Sequence, residues 1–325
     1  MSKITVLIPC YNEQEVIQHL WERLNKVFQT IPDHSFEILF VNDGSSDSTL
    51  EIIKFLAQSD SQISYIDLSR NFGKELAMIA GLDYATGDAV IIMDADLQHP
   101  PELIPELISY WEQGYDDVSA KRRGRDNESF FRRWAANTFY SFLQKITTIK
   151  IQENVGDFRL LDRRCVEAVK LMRETQRYTK GMFTWVGYTK KEILFDSANR
   201  AGGETKWNYF SLVNLAIEGI TSFTTFPLRI SSILGVIVSF CAFAYMAFII
   251  FNTLMYGDPV QGYPTLISVI LFLGGIQLIF LGVIGEYLGR VFNETKMRPL
   301  YLIKEYNGKR AVLRDEISRC SVTKQ

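Results

Sequence analysis

Hydrophobic positions change their rhythm along the chain. Over the first 112 residues, short and nearly continuous apolar runs alternate with amphipathic stretches. The runs are Ile4–Pro9, Phe36–Val41, Ile63–Leu68 and Ala89–Met93. The stretches between and after them are Glu13–Phe28, Ser48–Gln58, Lys74–Tyr84 and Pro101–Glu112. Short apolar runs without strict alternation predict strands buried on both faces, and the stretches predict helices. Regular alternation of the two predicts an α/β fold, a mostly parallel sheet with helices on both faces. In such sheets ligands bind beyond the carboxyl ends of the strands. Polar clusters stand at three of those ends: Tyr11-Asn12-Glu13, Asn42-Asp43-Gly44 and Asp94-Ala95-Asp96.

The second half reads differently. Lys121–Arg133 carries six Lys/Arg against two acids, and an aromatic-rich helical stretch follows over Phe130–Ile146. Asn199–Asn208 is a polar, glycine-containing loop. Beyond it Phe210, Val213, Ile217, Ile220 and Phe223 recur at helical steps. That amphipathic face suits a membrane interface; the plainer alternative is a core helix. From Ile230 to Gly285 the only charged residue is Asp258. Ile230–Met255 and Thr265–Gly285 each reach the roughly 20 residues needed to cross a bilayer. The linker between them has no Lys or Arg. Arg229 flanks one side, and Arg290, Lys296 and Arg298 the other. This asymmetry predicts an integral membrane protein with both termini in the cytoplasm. The expected organisation is a cytoplasmic catalytic domain over 1–205 and a juxtamembrane amphipathic helix over 206–228. Two transmembrane helices over 229–290, with an external loop at 256–264, and a cytoplasmic tail over 291–325 complete it. Gly285-x-x-x-Gly289 permits close helix packing and self-association, and Glu286 and Arg290 are spaced for an ion pair.

Composition narrows the function classes. Lys+Arg 35 against Asp+Glu 37 gives a net charge of −2, which offers nothing to nucleic acid. With 47% hydrophobic and 22% charged residues, the chain is not disordered. The four cysteines are scattered and the three histidines form no ligand pattern, so neither a disulfide framework nor a zinc site is expected. Met1–Cys10 is too short and strand-like for a signal peptide.

Three clusters carry chemistry. Asp94, Asp96 and Gln98 form a hard oxygen set at a strand end, suited to Mg²⁺ or Mn²⁺ bridging a ligand's phosphates. The plainer alternative is a cap for the segment beginning at Pro100. Asp43 at the end of the second run has the chemistry to accept hydrogen bonds from a base or a ribose. Pro9, Tyr11 and Glu13 are positioned to pack beside the same base. The arginines of Lys121–Arg133 have forks that match phosphate oxygens, or else form a solvated patch near anionic headgroups.

In their order and spacing, IPCYNE, VNDGSSD and DADLQHP resemble the inverting nucleotide-sugar glycosyltransferases of family 2, which have the GT-A fold. With the two apolar spans, the chain looks like the polyprenyl-phosphate subgroup, which includes bactoprenol glucosyltransferases and dolichyl-phosphate mannose synthases. The resemblance implies transfer of a hexose from a nucleotide donor to a polyprenyl phosphate such as undecaprenyl phosphate, at the cytoplasmic face. Its best match implies UDP-glucose. GDP-mannose, a modified UDP-sugar and a non-lipid acceptor stay open. The resemblance assigns Asp43 to the base, and Pro9, Tyr11 and Glu13 to the lip of the nucleotide pocket. Asp94, Asp96 and Gln98 go to the metal and diphosphate. Asp157, in Gly156-Asp157-Phe158-Arg159, lies near the acceptor and, with Asp96, is the catalytic candidate. Arg122 with Arg132 or Arg133 matches the acceptor-phosphate site, and Arg200 and Lys206 flank a loop that closes over the donor. The Gln-x-x-Arg-Trp signature of processive synthases is absent, which implies a single transfer. A lipid phosphate is largely dianionic at neutral pH, with a second pKa of about 6. Asp157 is therefore expected to position the acceptor at least as much as to remove a proton.

Overall fold

A computed structural model describes residues 1–123, 155–175, 177, 179–195, 226–256 and 262–310. The chain divides into two units, Met1–Ser211 with Pro299–Gln325, and Leu212–Arg298.

The first unit is built on a nine-stranded sheet. Its strands are β1 (Ser2–Cys10), β2 (His34–Asn42), β3 (Ile63–Leu68), β4 (Ala89–Ile92), β5 (Asp117–Arg122), β6 (Val155–Asp162), β7 (Lys190–Phe195), β8 (Ile303–Tyr306) and β9 (Lys309–Arg310). They lie in the order β7-β5-β6-β4-β1-β2-β3-β8-β9. Helices α1 (Ile17–Phe28), α2 (Thr49–Ser59), α3 (Lys74–Tyr84), α4 (Ile104–Glu112), α5 (Arg163–Leu171) and α6 (Thr179–Trp185) accompany it. The strands predicted from apolar runs and the helices between them appear within a few residues of their expected bounds. α1 starts at Ile17 rather than Glu13, because Asn12 takes a positive φ of 57° and a turn intervenes.

Pleating sorts the apolar strand residues into two cores. Ile4, Val6, Ile8, Ile38, Phe40 and Ile91 face α1, α2 and α4, whose Leu20, Leu24, Ile53 and Leu107 are buried against them. Leu7, Leu39, Val41, Ile66, Val90 and Ile92 face α3 and α5 through Met78, Leu82, Val166 and Val169. Both faces are thus covered, as the unbroken apolar runs predict.

The expectation of a mostly parallel sheet is corrected. The centre is parallel, with β1 paired to β2 and β4, and β2 to β3. β6 runs antiparallel to both β4 and β5, and β8 antiparallel to β3 and β9, so the whole sheet is mixed. At the β8–β9 end the cause is local. Asn307 and Gly308 have φ of 45° and 78°. Two consecutive positive φ values make the tight turn that folds a chain back antiparallel. Thus the segment expected to be a tail supplies one edge of the sheet.

The second unit contains α7 (Phe226–Tyr256, 31 residues) and α8 (Tyr263–Thr295, 33 residues). Both apolar stretches are helical. Among the described residues, Phe272–Thr295 is long and apolar enough to cross a membrane, with a mean hydropathy of 1.6. Arg290 Nη2 lies 3.1 Å from Glu286 Oε1, the ion pair expected from their spacing. Of the amphipathic stretch 206–228, only Phe226–Leu228 is described, as the start of α7; the helical stretch Phe130–Ile146 lies outside the described residues.

Candidate active site

The sheet reverses its winding between β1 and β4: the chain runs from β1 outward to β3, then crosses to the other side of β1. A crevice forms at such a switch point, beyond the strand carboxyl ends. The loops after β1, β2 and β4 meet there.

The first two loops are locked together. Asn12 N donates to Ser45 Oγ at 3.0 Å, and Ser46 N donates to Asn12 Oδ1 at 2.8 Å. Glu13 N donates to Thr49 Oγ1 at 2.8 Å. Asn42 Nδ2 donates to Asp67 Oδ1 at 2.7 Å and ties the β2 end to β3. Tyr11 projects from this lip and is 47% exposed, which leaves its ring face available for stacking.

Asp43 is buried beside the lip. Its Oδ1 accepts from Phe72 N at 2.7 Å and its Oδ2 from Gly73 N at 2.9 Å. Burial pushes its pKa above the ordinary aspartate value, although the two amides and the Arg70 guanidinium pull the other way. Asp43 therefore has a structural duty that the sequence reading did not foresee, holding the turn before α3. Each oxygen keeps a second lone pair, so a nucleoside contact is still chemically open to it. Gly44, at φ +66°, lets this turn approach. A Cβ there would sit 2.5 Å from Arg70 C and 2.6 Å from Asn71 N.

After β4, which is buried throughout, burial alternates residue by residue along the loop. Ala95, Leu97 and His99 are buried, while Asp94, Asp96 and Gln98 are partly exposed. The three predicted oxygen ligands are thus among the residues of this loop that keep some exposure. Leu97 holds a positive φ of 60°, a conformation uncommon outside glycine that the surrounding packing must hold in place. Gln98 N donates to Asp96 Oδ1 at 3.1 Å. Beneath them His99 stacks on Phe158, with ring centroids 5.1 Å apart, and its Nδ1 accepts from Asp94 N at 3.3 Å. Nδ1 as acceptor puts the neutral ring's proton on Nε2.

Asp157 reaches the same place from β6. In the antiparallel β4–β6 register Ile92 lies opposite Arg159, so Asp157 runs alongside the loop after β4. One cation joins the loop after β4 to β6. Lys74 Nζ lies 2.6 Å from Asp94 Oδ1 and 2.5 Å from Asp157 Oδ2. Burial acts to lower the Lys74 pKa, but the two carboxylates outweigh it and hold it well above the ordinary lysine value. Sequence reasoning missed Lys74. The available signal was its position, since a lysine at the first position of a helix stands against the helix dipole and invites a search for an anionic partner.

Below Asp157, Arg159 is fully buried with Asp117, Nη1 to Oδ2 at 3.1 Å, and its guanidinium covers the Phe183 ring at 4.2 Å. Of the remaining predicted residues, Pro9 is the penultimate residue of β1, beside the lip, and Arg122 ends β5, with its side chain outside the description. Arg132, Arg133, Arg200 and Lys206 lie outside the described residues.

The donor set fits a divalent cation. Among the described residues no group of three or more His, Cys, Asp or Glu gathers as a metal site. Mg²⁺ needs no such cage: it keeps several waters and takes one or two carboxylates plus substrate phosphates. Asp94 already faces a cationic group, the Lys74 ammonium.

Residues 5–169 match the model of glycosyl transferase family 2, and residues 226–291 match that of the GtrB C-terminal hairpin. An uncharacterized glycosyltransferase of Synechocystis sp. is 50% identical over 94% of this chain and 96% of its own. A prophage bactoprenol glucosyl transferase homolog of Escherichia coli K12 is 48% identical over 93% and 98%. The bactoprenol glucosyl transferase of Shigella phage SfV is 48% identical over the same shares.

Proposed function

Since the chain belongs to glycosyl transferase family 2 and is an enzyme of the transferase class, we propose that it moves glucose from UDP-glucose to undecaprenyl phosphate. What carries the reading is the 48% identity, over nearly the whole chain, to bactoprenol glucosyl transferases. Such identity takes in the catalytic unit and the apolar hairpin together, so it bears on donor chemistry and lipid acceptor alike.

In this reading the GT-A-like domain works at the cytoplasmic membrane face. Both long helices span the bilayer, and both termini are cytoplasmic. The uncharged length of the two stretches and the basic flanks support this topology. Asp43 and the lip residues Pro9, Tyr11 and Glu13 receive the uridine, and the loop of Arg200 and Lys206 closes over the donor. Asp94, Asp96 and Gln98 hold Mg²⁺ or Mn²⁺, which when bound supplies Lewis-acid stabilisation of the diphosphate leaving group. Arg122, Arg132 and Arg133 hold the acceptor phosphate by charge-assisted hydrogen bonds.

The reaction is one inverting displacement. A lipid phosphate oxygen attacks the anomeric carbon opposite the diphosphate, the C–O bond to UDP breaks, and UDP leaves with the electron pair. The nucleophile is already anionic, so Asp157 positions it at least as much as it removes a proton. The ion pair with Lys74 supports that role, because a carboxylate held by an ammonium is a poor proton acceptor.

The test is a transfer assay with purified full-length protein in detergent. It receives undecaprenyl phosphate, Mg²⁺ or Mn²⁺ and a panel of labelled nucleotide sugars. Label in the lipid phase from UDP-glucose, abolished by EDTA and by Asp96→Ala, is expected. Transfer from another donor alone overturns the choice of glucose. Transfer to a non-lipid acceptor alone overturns the polyprenyl phosphate.

A further inference from the structure

Lys74 connects elements that the reaction needs separately. It is the first residue of α3, directly after Gly73, whose φ is +97° and whose N–H is held by Asp43. Asp43 thereby fixes the backbone from which Lys74 extends. Its ammonium then meets one carboxylate on the loop after β4 and another on β6, both within 2.6 Å. Two carboxylates drawn to one point repel each other unless a cation stands between them. The side chains of Asp94 and Asp157 are only 27% and 13% exposed, so water screens that repulsion poorly.

We propose that Lys74 is the resident cation of the metal-free site, a positioning residue that holds Asp94 and Asp157 together and gives up Asp94 when the divalent cation binds. This rests on the reading of Asp94 as a metal ligand. Lys74 and the metal then compete for one carboxylate. An ammonium has three N–H donors on a flexible stem, so it releases Asp94 while keeping Asp157. Metal binding is in this way coupled to the grip on Asp157 and, through Gly73, to the turn that Asp43 organises.

Competition gives a signature opposite to that of an ordinary supporting residue. A residue that merely braces the site weakens metal binding when it is removed. A competitor strengthens it. The measurement is Mn²⁺ titration of the full-length protein in detergent, with free Mn²⁺ read by electron paramagnetic resonance and no nucleotide present. Lys74→Met is expected to bind Mn²⁺ at least tenfold tighter than the unmodified protein while transferring sugar more slowly. Lys74→Arg keeps the cation and is expected to bind within about twofold of it. If Lys74→Met does not fold, Lys74→Gln is read in its place, since it also removes the charge. Unchanged or weaker Mn²⁺ binding in the neutral variant overturns the proposal. Asp94→Asn separates the two ideas: if it binds Mn²⁺ as the unmodified protein does, the ligand role of Asp94 is what fails.

Discussion

Arg159 and Asp117, both fully buried on the neighbouring antiparallel strands β6 and β5, form an ion pair at 3.1 Å, with Arg159 two residues beyond Asp157 on β6. Asp117 faces a second cation, Lys190 Nζ, at 3.8 Å. The arrangement is lopsided, because one fully buried carboxylate answers two cations. Removing one partner of a buried pair costs about 3–5 kcal/mol. Asp117→Leu is expected to fall in that range, since it strands Arg159 and Lys190 together. Arg159→Met is expected to lose less, because Lys190 remains for Asp117. Thermal unfolding of the two variants checks the order, and equal losses would refute it.

Gly44 answers to a backbone constraint rather than to packing alone. Gly44→Ala adds a Cβ that overlaps the Arg70–Asn71 peptide, at a φ that favours glycine. A loss of about 1–3 kcal/mol is expected. Because Asp43 holds the same turn, KM for the donor should rise at least tenfold, with a smaller change in kcat. Steady-state kinetics at varied donor concentration separate the two.

Glu37 gives the catalytic unit a readable pH dependence. Burial opposes its charge, but Lys3 at 2.9 Å and the hydroxyls of Thr86 and Thr5 outweigh burial and hold its pKa below 4.5. A depressed folded-state pKa contributes stability above the ordinary glutamate value, lost as the pH falls through the lowered one. Glu37→Gln should therefore unfold more easily at pH 7, by about 1 kcal/mol. The gap should close below pH 4.5, in unfolding curves taken across the acid range.

The segment after the apolar hairpin is bound into the catalytic unit. Tyr301 Oη donates to Asp83 Oδ2 at 2.6 Å, and Arg173 grips the same carboxylate at 2.7 and 2.8 Å. Glu305 takes Lys54 Nζ at 2.8 Å and the Tyr65 hydroxyl. Tyr301→Phe should lower stability by about 1 kcal/mol, with Arg173 still holding Asp83. Deleting Pro299–Gln325 should do far more, because it bares the edge of β3 and invites aggregation. Light scattering of the truncated protein during mild heating measures this.

The sequence by itself determined the central elements, because their signals are local. Apolar runs fully buried on both faces read as strands, and Lys74–Tyr84 and Ile63–Leu68 have in the structure the bounds their patterns predict. The polar residues just past each run marked the crevice for a general reason, that parallel strands end where ligands bind. The two long apolar stretches were legible by length alone. Asn307-Gly308 is also a local hairpin signal, although the short strands it joins carry no apolar run to mark them. What tertiary structure alone decided was the set of relations across the chain. That Lys74, Asp94 and Asp157 converge follows from β6 lying antiparallel beside β4, which no local pattern encodes. That Asp43 holds Phe72 and Gly73, and that Tyr301 holds Asp83 across 218 positions, depends equally on packing. Side-chain periodicity states which face of an element is buried. It carries no information about which distant charge that face will meet.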